Sequence, residues 1–106
     1  MKSVLYTFTI TVSSGAGSTA TTDFSAIKNS GGSIESVVIT PPNPSVGYDF
    51  YIKNSSGKTL YDKKNITGDG LSDRKVSVAK GEYTLEISNA DVDGSYSVDI
   101  MYRADW

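Results

Sequence analysis

The stretch Arg74–Arg103, RKVSVAKGEYTLEISNADVDGSYSVDIMYR, decides the fold. Side chains on a strand alternate between two faces, so a half-buried strand is apolar at every second position. Tyr83, Leu85 and Ile87 fall on one face, with Glu82, Thr84, Glu86 and Ser88 on the other. Tyr96, Val98, Ile100 and Tyr102 repeat the pattern against Ser97, Asp99 and Arg103, and Met101 is the one apolar residue of that outer row. Val76 and Val78 form a shorter row ahead of them. A helix would need apolar spacings of three and four, which are missing. Ala79-Lys80-Gly81 and Asn89–Gly94 separate the runs, and their Gly, Asn and Asp content predicts turns. The stretch therefore reads as three successive antiparallel strands joined as hairpins.

Upstream, Val4, Tyr6, Phe8, Ile10 and Val12 alternate with Thr7, Thr9 and Thr11 in the strongest such pattern of the chain. Ser13–Ser18 is a flexible loop, and Thr19–Phe24 a weaker strand with Ala20, Thr22 and Phe24 on one side. Ile27 is expected to plug the core from the following loop. Ser33–Thr40 is a third strand. Its Ile34 and Val38 point one way and its Val37 and Ile39 the other, so both faces are partly apolar, as in a central or sheet-crossing strand. Pro41-Pro42-Asn43-Pro44 cannot lie within a ladder, because proline donates no N–H, and is read as a crossing between sheets. Val46, Tyr48, Phe50 and Ile52 form a fourth strand, returned by the turn Asn54–Gly57 into Thr59–Tyr61. Lys63–Asp73 is expected to be the longest irregular loop. The sum is about eight short strands with frequent turns and no helix. This predicts one all-β domain over residues 1–106, a two-sheet antiparallel β-sandwich of jelly-roll-like or immunoglobulin-like type.

Composition narrows the function. The 106 residues carry a net charge of -2, so there is no basic field for nucleic acid or anionic lipid. Cysteine and histidine are both absent, which excludes Cys/His zinc sites, cysteine nucleophiles and every triad with a histidine base. The opening MKSVLYTFTITVSSGA alternates apolar residues with threonine where a signal peptide needs a continuous apolar run. The domain is expected to begin at its own Met1, and no run approaches the about 20 apolar residues of a membrane span.

Asn89, Asp91 and Asp93, followed by Gly94, match the opening of a calcium loop, where alternate oxygens converge and glycine permits the bend. The twelfth position, where such a loop places a bidentate glutamate, is Ile100. These three residues are the candidate calcium ligands, and an Asx-rich turn without metal has the same composition. Asp62, Asp69 and Asp73 form a second acidic cluster, for which solvated loop carboxylates are the common reading and a catalytic pair the rare one. No catalytic residue is assigned. Asn54-Ser55-Ser56 and Asn65-Ile66-Thr67 fit the glycosylation pattern, taken as coincidental without an export signal. Tyr51, Tyr61, Met101 and Trp106 are expected to be partly exposed. The residues expected to present a protein interface are Val37, Ile39, Tyr51, Met101 and Trp106.

Two resemblances follow. Gly81-Glu82-Tyr83-Thr84-Leu85 and Gly94-Ser95-Tyr96-Ser97-Val98 resemble the Gly-x-Tyr strands of bacterial pre-peptidase C-terminal β-sandwich domains, over about half of the chain. The chain as a whole, opening Tyr6-Thr7-Phe8-Thr9-Ile10-Thr11, rich in Thr, Ser and Gly and lacking cysteine, resembles small virion proteins of tailed bacteriophages. That resemblance implies a non-catalytic decoration, connector or tail protein. Such a protein contacts itself or other virion proteins, binds neither nucleic acid nor membrane, is assembled in the host cytoplasm and is carried in the virion. The alternative is a ligand-binding module, pre-peptidase-like or carbohydrate-binding, assisted by calcium.

Overall fold

The computed structural model describes residues 2–13, 15, 17–24, 31–72, 75–79 and 81–104. Nine strands run through them: β1 (Lys2–Val12), β2 (Ser18–Phe24), β3 (Gly32–Thr40), β4 (Gly47–Asn54), β5 (Thr59–Thr67), β6 (Gly70–Ser72), β7 (Val76–Val78), β8 (Tyr83–Ala90) and β9 (Gly94–Ala104). They form two antiparallel sheets. Sheet A has the order β1-β9-β3-β6 with β7 also on β3, and sheet B the order β2-β8-β4-β5. β6 pairs with Val37–Ile39 and β7 with Gly32–Ile34, so the two short strands share one position beside β3. Counted by position, each sheet has four strands.

The connections differ from the expected hairpins. β7 lies in sheet A, β8 in sheet B and β9 in sheet A again, so Ala79–Gly81 and Asn89–Gly94 are crossings between sheets. Alternation reports which side of a strand is buried, and a strand shows the same alternation whether its sequence neighbour lies beside it or across the core. Pro41–Pro44 is a crossing, as read from its prolines, and β4–β5 is the hairpin expected over Asn54–Gly57. The chain changes sheet at every connection except β4–β5 and β6–β7, which makes the sandwich a jelly roll. Both Gly-x-Tyr segments serve these crossings. The Tyr83 hydroxyl donates to the Ala79 carbonyl at 2.7 Å and the Tyr96 hydroxyl to the Val92 carbonyl at 2.8 Å. Each phenol thus pins the loop four residues upstream, in the manner of a tyrosine corner.

The core fills the space between the sheets, with Ile10, Ile34, Val98, Ile100 and Tyr102 from sheet A meeting Phe24, Phe50, Ile52, Leu85 and Ile87 from sheet B. Register shifts in the ladders set its membership. On β3 the pairing to β9 slips between Ile34 and Ser36, so Glu35 is an extra residue. The parity of the strand then changes, and Ile34, Val37 and Ile39 all face inward. On β5 and β8 the shifts fall beside Asn65 and Asn89, the two described non-glycine residues with positive φ, at 57° and 52°. A residue added to one strand of a pair turns the following side chains to the other face. The Asn65 bulge also continues β5 to Thr67, so the expected loop over Lys63–Asp73 is largely strand, with β6 following. Ile27 lies outside the described residues.

Candidate functional site

The two outer faces of the sandwich differ in chemistry. On sheet B the outward row of β4 is Gly47, Asp49, Tyr51 and Lys53, and the facing row of β8 includes Thr84, Glu86 and Ser88. Lys53 Nζ donates to Glu86 Oε1 at 3.0 Å, Ser88 Oγ donates to Glu86 Oε2 at 2.7 Å, and Thr19 Oγ1 donates to Ser88 at 3.2 Å. Tyr51 is partly exposed, and the Lys53 ammonium sits 5.2 Å from its ring centre. This face is a hydrogen-bonded polar lattice.

Sheet A is different. Leu5, Met101 and Ser36 lie in one cross-strand row, and Thr7, Asp99, Val38 and Leu71 in the next. Leu5 is 57% and Leu71 61% exposed, and Val38 and Met101 are partly exposed. Directly opposed and diagonal side chains on one face of a sheet lie within reach of one another. The four residues therefore make an apolar patch crossing all four strand positions. Asp99 lies within it, and Glu35 marks one end, reached by Lys75 at 3.5 Å and Arg103 at 3.9 Å.

Two of the residues expected at an interface are thereby corrected. Val37 and Ile39 are each 2% exposed, because the Glu35 bulge turns them into the core and leaves Val38 outside. Tyr61 is also buried, at 2%. Met101 lies on the apolar outer face and Tyr51 on the polar one, while Trp106 lies outside the described residues. Leu5 and Leu71 were missed. Leu5 breaks a row of threonines in the sequence, and Leu71 sits in a stretch read as loop.

Each of the candidate calcium residues is engaged in a hydrogen bond within the protein. Asp91 Oδ2 accepts the Gly47 N–H at 2.9 Å, Asp93 Oδ1 accepts the Gly15 N–H at 2.8 Å, and the Asn89 amide donates to Asp49 Oδ2 at 2.7 Å. Asn89 and Asp91 tie the β8–β9 crossing to β4, and Asp93 ties it to the segment before β2. No group of three or more Asp or Glu among the described residues is placed to hold a metal. Asp49, 8% exposed, is the centre the sequence did not announce. Its Oδ1 accepts the Asn65 N–H at 2.8 Å, so one carboxylate on β4 holds the bulges of both neighbouring strands. Asp49, Gly47, Asn65, Thr67, Asn89 and Asp91 line an open cleft of about 380 Å³ at this end of sheet B. Of the second acidic cluster, Asp62 and Asp69 are exposed and Asp73 lies outside the described residues. Both asparagines of the glycosylation patterns have structural work. Asn54 Oδ1 accepts from Ser56 and Lys58 in the hairpin turn, and Asn65 forms the bulge.

Two buried phenols carry shifted ionisation. Burial, with Asp69 nearby, pushes Tyr48 well above the ordinary tyrosine value, and burial raises Tyr96, with Asp91 and Asp93 adding to it. Tyr48 donates to the Gly68 carbonyl at 2.8 Å and stacks edge-on against Tyr96 at 5.4 Å. Above pH about 10 the unfolded chain releases these protons while the folded chain keeps them, so stability is full below that pH and falls as pH rises toward the folded values. The expected slope approaches about 1.4 kcal/mol per pH unit from Tyr48, and Tyr96 adds to it in the same direction. Urea midpoints between pH 9 and 11.5 check this, and Tyr48→Phe should flatten the decline.

No family model matches the chain, and no curated protein sequence matches it. Among solved structures, the Yersinia pseudotuberculosis-derived mitogen is similar in fold, with a TM-score of 0.59 at 14% identity, covering 99% of this chain and 89% of that one. A carbohydrate-binding module of type CBM36, solved with calcium and xylotriose, aligns at a TM-score of 0.42 and 14% identity, over 99% of this chain and 100% of that one. The structure of infectious bursal disease virus, Gx strain, aligns at 0.36 and 16% identity, over 94% of this chain and 31% of the viral one. The first likeness shows a shared β-sandwich fold, and the other two are too distant to carry an argument.

Proposed function

We propose that this chain is a non-catalytic structural protein that works by protein–protein contact through the outer face of sheet A. The observation that supports this reading is the patch of Leu5, Val38, Leu71 and Met101 on an otherwise Thr-, Ser- and charge-bearing sheet. Apolar side chains gathered on one exposed face mark surfaces that other proteins cover. The setting we propose is the virion of a tailed bacteriophage, on the resemblance of the sequence, with copies of itself or other virion proteins as partners.

The test is solution mass by light scattering over a concentration series, comparing the native chain with Leu71→Asp/Met101→Lys. Both substitutions fall on exposed or partly exposed positions, where stability changes stay within about 0.5 kcal/mol. The reading expects the native chain to associate and the double variant to stay monomeric at its unchanged melting temperature. Equal association of the two overturns the assignment of this face. A strictly monomeric chain whose melting temperature rises with calcium or with a glycan moves the function to a ligand-binding module, by linkage. The open cleft beside Asp49 is then the place to look.

A further inference from the structure

We propose that β1 is a self-assembly edge: a second copy of the chain adds its own β1 antiparallel to it, about a two-fold axis through Thr7. This rests on the reading of the chain as an assembly protein and names a partner and a second contact for it.

A sheet edge offers unpaired N–H and C=O groups, and native proteins blunt such edges with bulges, charges, prolines or short strands. Three of the four edge positions here are blunted. β5 carries register shifts beside Leu60 and Asn65 and the charges of Asp62, Lys63 and Lys64. β2 has seven residues, pairs with β8 across that strand's bulge and carries Asp23. β6 and β7 have three residues each and a break between them. β1 has the fewest of these devices. It runs eleven residues, Lys2–Val12, and pairs with β9 from end to end without a register shift. It contains no proline, and Lys2 is its single charge. At about 3.4 Å per residue it spans roughly 37 Å, close to the 40 Å long axis of the molecule. No described strand pairs with its free side.

The side chains fit a second copy. Tyr6 and Phe8 lie on the inner row, yet at this rim of the sandwich they are only partly buried. Side-chain faces are preserved only when paired residue numbers sum to an even value, because alternation has period two. Full overlap of two strands covering residues 2–12 sets that sum at 14 and places Thr7 opposite itself. Tyr6 then faces Phe8 of the second copy and Val4 faces Ile10, so the half-covered aromatics meet across the seam. Residue 2 is the single charge of the strand and pairs with position 12, so no like charges are paired. The contact is isologous and closes as a dimer. It also joins the two A sheets into one, with both apolar patches on the same side and Leu5 beside the seam, so a partner on that face would meet a doubled surface.

The absence of cysteine gives a direct test. Thr7 and Thr11 are both exposed on the outer row of β1. In the two-fold pair Thr7 meets its own copy, while Thr11 is held away from the Thr11 of the second copy. Under mild oxidation Thr7→Cys should form a covalent dimer at least tenfold faster than Thr11→Cys, read on a non-reducing gel. Equal rates, or no dimer of Thr7→Cys at any concentration, overturn the proposal. The same measurement in the Leu71→Asp/Met101→Lys background separates the two contacts. Selective Thr7→Cys linkage that persists there supports the edge independently of the sheet face. If Thr7→Cys loses its selectivity there, the copies meet through the sheet face, and the edge proposal falls while the assembly reading stands.

Discussion

Phe24→Ala is expected to cost about 3–5 kcal/mol, a large share of the about 5–15 kcal/mol that holds a domain together. Phe24 is fully buried at the end of β2 and joins the two sheets along their β1–β2 rim. Its ring lies edge-on to Tyr6 at 5.9 Å, Phe8 at 5.2 Å and Tyr102 at 6.2 Å. Truncation removes the hub of that cluster. Its neighbours cannot collapse into the space, because Tyr6, Phe8 and Tyr102 are fixed to the β1–β9 ladder. Chemical denaturation measures the loss directly. Phe24→Leu should retain more than half of it, and an alanine variant within about 1 kcal/mol of the native chain would show that the rim is not packed as described.

Asp49→Ala is expected to cost about 3 kcal/mol, since hydrogen bonds to a charged group contribute about 1.5–3 kcal/mol each and two donors lose their acceptor. For a domain of this size that lowers the melting temperature on the order of 10 °C or more. The loss exceeds that of an ordinary surface carboxylate because Asp49 is buried and its two partners, the Asn65 N–H and the Asn89 side-chain amide, belong to left-handed residues. Without the carboxylate, both bulges lose the bond that fixes them, and the inward placement of Ile66 and Ala90 beyond them is weakened. Asp49→Asn should recover part of the loss, because its amide oxygen still accepts the Asn65 N–H while the Asn89 amide can reverse. Thermal unfolding of both variants decides it, and equal melting temperatures for Asp49→Ala and the native chain would remove the clamp.

The β-sandwich itself was legible because alternation is a local property. Each of the rows Tyr83–Ile87, Tyr96–Tyr102 and Val46–Ile52 keeps its inward face in the structure. The choice of neighbours was not legible, since a crossing of Asn, Asp and Gly has the composition of a hairpin turn. Side assignment failed wherever a bulge changed the parity. Ile34 and Val37 share a face only because Glu35 is extra, and nothing in SIESVVIT marks which residue is looped out. Asn65 and Asn89 did carry a signal, since asparagine tolerates the left-handed region. The sequence also offers Asn89 as a ligand, because its spacing to Asp91 and Asp93 matches the opening of a calcium loop. Asp49 gave no signal, since its role depends on two bulges brought together from strands sixteen and forty residues away.

The positions of β8 and β9 bear on how the protein is made. Each lies inside its sheet, β8 between β2 and β4 and β9 between β1 and β3, yet both come last in chain order. A nascent chain that has emerged only through β7 holds the flanking strands of both sheets without the strands that join them. Neither β1 nor β2 then has a partner, and the apolar rows that later form the core stay open to solvent. Folding must wait for β8 and β9 to emerge, and its rate is set by pairings between residues far apart in sequence, the slow class of contact. During that interval the open strands and apolar rows are exposed to pairing with other chains.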